Sequence, residues 1–366
     1  MSRPLSQYYR RTLLIEALTV LIGLWGCLTI YSTQSGGDDT WGFLSRQLCW
    51  LGLGFVTMFG LQQLKFRYIL AALPWLAALT IAGLAGVLLF GVRLNGMLGW
   101  FSCGDFWLQP SEPLKAAVLL VLAGIFTATP LRFRQLAIAT GFTGLVVGLL
   151  ILQPDYGMAL LYCGAFFLIA MLAGIHRHYL FAFLAALPVA ALLAAWRSPY
   201  VWRRFAAFWN PDGDLLHSGW HIRQFQLAIA RGGWTGTELG NAFWSNTYLP
   251  LAYNDSIFAA MAEAVGFFGV LPYLTAFAAL IYLLWQLGMT APDRTGRLFV
   301  VAAAGLLAIQ ALLHISINLA LLPPTGLTLP LVSYGGSSMF GSCLLIGLAL
   351  SAGRPAADVH NIKPCQ

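Results

Sequence analysis

Charge is the scarcest resource in this sequence. Only 9% of its 366 residues are Asp, Glu, Lys or Arg, against roughly 25% in a soluble domain. Most of the chain therefore has no water-facing surface to populate. The six cysteines make no disulfide framework. Cys27, Cys49, Cys163 and Cys343 fall inside apolar runs and read as small apolar residues, and Cys365 lies in the tail. Cys103 sits in an outer loop without a neighbouring partner. No G-x-S-x-G nucleophile elbow occurs. His217 and His221 stand four apart, yet no Glu follows His217 and Gly219 intervenes, which argues against a zinc site. Leu24-Trp25-Gly26-Cys27 has a bulky Trp where a lipoprotein cleavage site needs a small residue.

Long apolar runs are abundant. Stretches near 13–32, 46–62, 68–91, 113–128, 135–152, 156–174, 179–196, 256–288, 298–322 and 334–352 approach the ~20 residues needed to cross a bilayer. The expected fold is all-α: a single polytopic membrane domain over 1–366 with about ten transmembrane helices. The 38 Gly and 17 Pro in such sequence imply closely packed and locally broken helices. Gly144 and Gly148 have the spacing of a helix-packing stripe.

The net charge of +7 is explained by topology, with no nucleic-acid partner needed. With ten spans, Arg3, Arg10, Arg11, Lys65, Arg67, Arg132, Arg134, Arg177, Arg294, Arg297, Arg354 and Lys363 share one side. The short opposite loops offer little beyond Arg46 and Arg93. The positive-inside rule then makes both termini cytoplasmic. Two outer segments stand out. Residues 92–112 carry Trp100, Asp105 and Trp107. Residues 197–255, between spans 7 and 8, are rich in Arg, Gly and Trp, a composition suited to packing at the membrane interface.

Ionisable groups at membrane depth are functional candidates, because each costs several kcal/mol (roughly 2–3 or more) unless paired or hydrated. Glu16 reads as interfacial. Asp155, after Gln153-Pro154, suits either a helix cap or a functional carboxylate. Asp255 ends the long loop directly before an apolar helix, and Glu263 lies two turns deeper on a similar face. Asp255 could be an N-cap worth about 1 kcal/mol, or a carboxylate that takes a proton from a substrate hydroxyl. Gln109-Pro110-Ser111-Glu112-Pro113-Leu114-Lys115 reads as a helix start. Glu112 and Lys115 either pair with each other or present a cation to a lipid phosphate. Pro330 through Ser338 is a Gly/Ser loop opening the last span, either a tight turn or a set of N–H groups facing an anion.

These segments together resemble one family. Gln109-Pro110-Ser111-Glu112 with Lys115 is similar to its QPSE-x-x-K helix start, and Gln153-Pro154-Asp155-Tyr156-Gly157 to its QPD-x-G segment. Arg204-Phe205, Asn210-Pro211 and Gly232 through Gly236 follow its long outer loop. Asp255-Ser256-Ile257-Phe258-Ala259 and Glu263 through Gly269 resemble its D-F-I-F-A…E-x-GF-x-G block, and Gly326 through Ser338 its closing GLTLP-x-x-SYGGSS signature. The family is the shape, elongation, division and sporulation (SEDS) family of RodA/FtsW type, and the likeness spans roughly 10–352.

The resemblance implies a multi-pass enzyme of the bacterial cytoplasmic membrane, a peptidoglycan glycosyltransferase that polymerises lipid II. The implied partner is a class B penicillin-binding protein, and the implied role is cell division or shape, closer to the division branch. Asp255 falls on the family's catalytic aspartate. Lys115 and Arg204 are candidates to stabilise the undecaprenyl pyrophosphate leaving group, with a divalent metal (Mg or Mn) as a candidate cofactor. Glu112, Trp100, Glu263, Ser337 and Ser338 are further substrate-binding candidates. The chain departs from the pattern at Gly99, where Arg is usual, at Leu251, where Glu is usual, and at His314, where Asn is usual. Pro324-Thr325-Gly326 replaces the usual Asn/Thr-Lys-Gly turn. A lipid-linked precursor flippase and a non-catalytic scaffold are the alternative readings.

Overall fold

The computed structural model describes residues 3–34, 40–94, 96–104, 106–127, 133–185, 199–213 and 218–355. Asp105, Arg132, His217, Lys363 and Cys365 lie outside these residues. A bilayer leaves no water for unpaired N–H and C=O groups, so crossing segments must satisfy them internally. Helices follow: α1 (Arg3–Gln34), α2 (Thr40–Gln63), α3 (Phe66–Ala71), α4 (Leu73–Phe90), α5 (Ser111–Thr127), α6 (Phe133–Leu152) and α7 (Tyr156–Leu172). Helix α8 is described over 177–185, so most of the expected span 179–196 lies outside the described residues. Then come α9 (Pro199–Trp209), α10 (Ser218–Gly232), α11 (Phe243–Thr247), α12 (Ile257–Met289), α13 (Arg294–Asn318) and α14 (Gly336–Ala352).

Among the described residues, six segments are long and apolar enough to cross a membrane: Leu5–Gln34, Trp41–Gln63, Leu73–Phe90, Phe133–Leu152, Ile257–Met289 and Arg294–Asn318. Helices α7 and α14 are shorter apolar helices. The chain is a multi-pass α-helical membrane protein. The expected span 68–91 is split at Ala72, because Pro74 starts α4 anew. The loop after α4 adds an element the sequence did not suggest. It is an antiparallel meander of β1 (Val92–Leu94), β2 (Met97–Cys103) and β3 (Phe106–Leu108), pinned to the helices by the Leu98 N–H on the Gln153 carbonyl at 3.2 Å.

Helix α5 lies at the centre, packed against α4, α6, α7, α13 and α14, with most of its residues buried. Helices α2 and α14 form the closest helix pair. A Cβ at Gly347 would stand 2.8 Å from the Met58 backbone, so only glycine permits that approach. Gly144 and Gly148 do not pack this way. They face open space among the described residues, since α6 sits at the periphery against α4, α5 and α7.

Helix α12 is broken at Gly266, whose φ of 64° is in the left-handed region. The segment following α10 fills the break. In a continuous helix the Phe267 and Phe268 amides would reach back four residues; here they donate to Gly233 and Trp234 carbonyls at 3.0 and 3.1 Å. The Glu263 carbonyl accepts from Thr237 N–H at 3.0 Å instead. A Cβ on Gly266 would lie 2.3 Å from the Gly236 nitrogen. The segment following α10 is thus a folded cap stitched into α12.

Candidate functional site

Asp255 stands two residues before α12, half-buried. The helix start leaves amides to be capped, and an Asp there would ordinarily bend back onto them. It does not. The N-cap is Ser256, whose hydroxyl turns away to the Pro250 carbonyl. The third amide of the helix, Ala259 N–H, is taken at 3.0 Å by Asn318 Oδ1 from the end of α13. The Asn318 amide also donates to the Asp255 and His314 carbonyls, at 3.0 and 3.1 Å. With the cap supplied by another helix, the Asp255 carboxylate has no hydrogen-bond partner among the described residues. Burial pushes its pKa up to about 6, and the nearby Arg204 guanidinium acts against that rise.

The segment from Pro324 to Ser338 holds the site together, nearly one residue per component. The Pro324 carbonyl accepts from Arg204 Nη1 at 2.9 Å, which draws α9 toward Asp255. Gly326 backs the carboxylate: its Cβ position is 3.8 Å from Asp255 Oδ2, at a φ of 77°. The Leu327 carbonyl accepts from His314 Nδ1 at 2.7 Å, so that nitrogen carries the proton. Thr328 donates to Glu112 Oε1 at 2.7 Å and contacts the Ser338 hydroxyl at 2.7 Å. Ser333 Oγ reaches the Asn254 carbonyl, and the Tyr334 amide the Tyr253 carbonyl.

Lys115 is fully buried. Its ammonium pairs with Glu112 at 2.8 Å and donates to Gln310 Oε1 at 3.2 Å and Ser342 Oγ at 3.4 Å. Gln310 continues to the Thr328 carbonyl at 3.1 Å. Ser337 Oγ accepts from the Gln109 amide at 2.8 Å, locking the start of α14 to the start of α5. Trp100 is half-buried on β2, across from Val92.

The other candidate carboxylates are committed. Asp155 caps α7 through Met158 N–H at 3.1 Å and also accepts from Gln109 and Ser111. Burial raises its pKa to about 6, with the neighbouring Glu112 adding to the rise. Glu263 is buried beneath this cap, where it accepts from the Trp244 and Ser245 amides at 2.9 and 2.7 Å and from the Ser245 hydroxyl. Arg231 lies 3.4 Å away. Glu263 therefore fastens α11 onto α12 and does not share a cluster with Asp255.

Gln310 and Asn318 were not singled out from the sequence, and His314 only as a departure from the family pattern. They recur every four residues on α13 and are all fully buried, a polar stripe in an otherwise apolar span that would have exposed them.

A family model for cell cycle proteins, FtsW/RodA/SpoVE, matches residues 8–356 of this chain. The chain is 34% identical over 357 residues to the probable peptidoglycan glycosyltransferase FtsW of Thioalkalivibrio sp., an alignment covering 94% of this chain and 89% of that protein. It is 31% identical over 357 residues to stage V sporulation protein E of Bacillus subtilis, covering 93% and 96%. Among solved structures, a chain from a peptidoglycan synthase complex that coordinates polymerization and crosslinking matches with a TM-score of 0.79 at 31% identity, covering 93% of this chain and 96% of that one. The rod shape determining protein RodA of Thermus thermophilus matches at 0.71 and 29% identity, covering 93% and 95%.

Proposed function

The chain belongs to the FtsW/RodA/SpoVE family of cell cycle proteins, and we propose from that premise that Asp255 is the general base of a peptidoglycan glycosyltransferase. The observation that carries this reading is a contrast. Glu112, Asp155 and Glu263 are each saturated by structural partners, whereas Asp255 keeps a carboxylate that accepts from no neighbour and faces Arg204. A free carboxylate with a pKa of about 6 is ionised at neutral pH and basic enough to accept a proton.

In the proposed step the Asp255 carboxylate removes the proton from an acceptor sugar hydroxyl of lipid II. That oxygen forms a bond to the anomeric carbon of the donor. The bond from that carbon to the undecaprenyl pyrophosphate breaks, and its electron pair leaves with the pyrophosphate. Arg204 offsets the charge that develops there. Lys115 is held within the Glu112–Gln310–Ser342 network, so its contribution is to the rigidity of the wall formed by α5 and α14.

A divalent metal, Mg or Mn, would find Asp255 rather than a protein cage. No group of three or more His, Cys, Asp or Glu side chains clusters among the described residues. That donor set suits an ion that takes one carboxylate plus substrate phosphates, and bound there it would neutralise the pyrophosphate.

Ten crossings follow when α3 with α4 counts as one and α5, α7, α8 and α14 each count, with both termini cytoplasmic and the 197–255 cap outside. The inner membrane of a bacterium is the corresponding location. A class B penicillin-binding protein is the partner this reading requires, in keeping with the synthase complex that the fold matches. The deciding experiment is polymerisation of purified lipid II by the chain with its partner. Asp255→Asn should make no glycan polymer while wild type does; wild-type-like polymer from the variant overturns the mechanism.

A further inference from the structure

The end of the bundle opposite Asp255 holds a cleft of about 450 Å³ that the chemistry above does not use. Phe126 of α5, Leu172 of α7, and Trp285 and Met289 of α12 form its apolar wall, and Arg294 and Arg297 of α13 stand at its mouth. The two arginines are one helical turn apart and exposed. Arg294 has no hydrogen-bond or ion-pair partner among the described residues, and Arg297 makes only a 3.5 Å contact to the Ala291 carbonyl. The nearest acid, Asp293, is absent from the lining and is committed to capping α13 through Gly296 N–H at 3.0 Å. Arg11 adds a third positive charge nearby, donating to Thr290 and Gln286 at the end of α12.

Depth identifies what covers the wall. Trp285 and Met289 are 46% and 52% exposed, and Tyr282 stacks on Trp285 at 6.1 Å. Beyond the break at Gly266, Trp285 lies 18 residues past Phe267, about 27 Å along the helix at 1.5 Å per residue. That is close to the ~30 Å of a bilayer's hydrocarbon core, with the exposed Phe267, Phe268 and Trp234 at the other boundary. The aromatic wall therefore sits at the acyl boundary, and the guanidinium groups at headgroup level.

We propose that this cleft binds an anionic phospholipid, its phosphate between Arg294 and Arg297 and one acyl chain along Phe126, Leu172, Trp285 and Met289. Guanidinium forks match phosphate oxygens. A lining with two cations and no acid favours a net-negative headgroup over a zwitterionic one.

The test is native mass spectrometry of the intact purified chain titrated with dioleoylphosphatidylglycerol or dioleoylphosphatidylcholine. Wild type should bind the first phosphatidylglycerol at least about tenfold more tightly than phosphatidylcholine. Arg294→Gln/Arg297→Gln should erase that preference, weakening phosphatidylglycerol roughly tenfold to thirtyfold at about 1 kcal/mol per arginine. Leu172→Trp, which fills the cleft but keeps both arginines, should weaken the same adduct. Equal binding of the two lipids to wild type overturns the proposal, and so does an unchanged preference in the double variant. Full competition by glycerol phosphate alone would remove the acyl chain from the site. The preference in wild type stands as a test even if the double variant fails to fold. Because the cleft lies at the far end of α12 from Asp255 and shares no residue with that site, its failure would leave the glycosyltransferase reading untouched.

Discussion

Replacing Glu263 by Gln tests whether the cap over α12 is fastened where the structure indicates. The carboxylate accepts two backbone amides, from Trp244 and Ser245, one through each oxygen. Glutamine keeps one acceptor and turns an NH2 group toward the other amide, so one donor is orphaned and the remaining bond loses its charge. A charge-assisted hydrogen bond contributes about 1.5–3 kcal/mol and an orphaned buried donor costs about 1–3 kcal/mol. On the order of 3 kcal/mol is expected overall. Arg231 adds little, because its side chain is 47% exposed and the pair is screened. The loss is local, felt as easier opening of α11 and the segments that it ties to α12. At 1.4 kcal/mol per factor of ten, hydrogen exchange of peptides carrying the Trp244 and Ser245 amides should quicken roughly 100-fold. Peptides from α2 and α14 should exchange as in wild type. Exchange at 244–245 within about threefold of wild type would refute the clamp.

Asp255 must be ionised to act as a base, and its pKa stands near 6, so polymerisation should fall as pH drops through about 6. Removing the opposing charge with Arg204→Gln should move that limb to higher pH in a rate–pH profile. The raised pKa also means that the ionised carboxylate works against the fold. Asp255→Asn should be more stable than wild type at pH 7, by on the order of 1 kcal/mol after allowance for partial exposure. That gap should narrow as pH falls through about 6 and close below about 4, where the wild-type carboxyl is neutral in folded and unfolded chains alike; thermal melts across pH report it. Lys115→Met leaves Glu112 buried without its cation and should cost about 3–5 kcal/mol. Glu112→Leu/Lys115→Met should recover much of that in the melting temperature, whereas a double variant no better than the single would give Lys115 a role beyond the pair.

The membrane class of the fold was legible because it is written in composition. Breaks and caps were less so, for reasons visible in particular residues. Pro74 splits one expected span, and a proline in a membrane helix does not announce whether it kinks or restarts the helix. Gly266 lies within a run that reads as continuous helix, and its break exists only because residues 233–237 return to pair with it. Such a tertiary partner leaves no local signature. The β meander of 92–108 has short strands with weak alternation. At the site, Asp255 stood out by its position before an apolar run. Glu263 stood out beside it, yet a carboxylate left free and one that fastens a loop look the same in sequence. Only its partners separate the two roles.

That distinction turns on Asn318. An aspartate before a helix is drawn to the free amides there, and capping them would remove the very lone pairs that a base needs. The structure resolves the conflict by capping α12 from α13, through a side chain with both an acceptor for Ala259 N–H and a donor for the Asp255 carbonyl. An isosteric Asp at 318 would lose the donor, and a Leu would lose both, returning the amide to Asp255. The buried polar stripe of Gln310, His314 and Asn318 thus has a consistent logic along α13. Gln310 serves the Lys115–Thr328 network, His314 the Leu327 carbonyl, and Asn318 the helix start. Among the described residues, the carboxylate at 255 accepts from no neighbour, while those of Glu112, Asp155 and Glu263 are each taken.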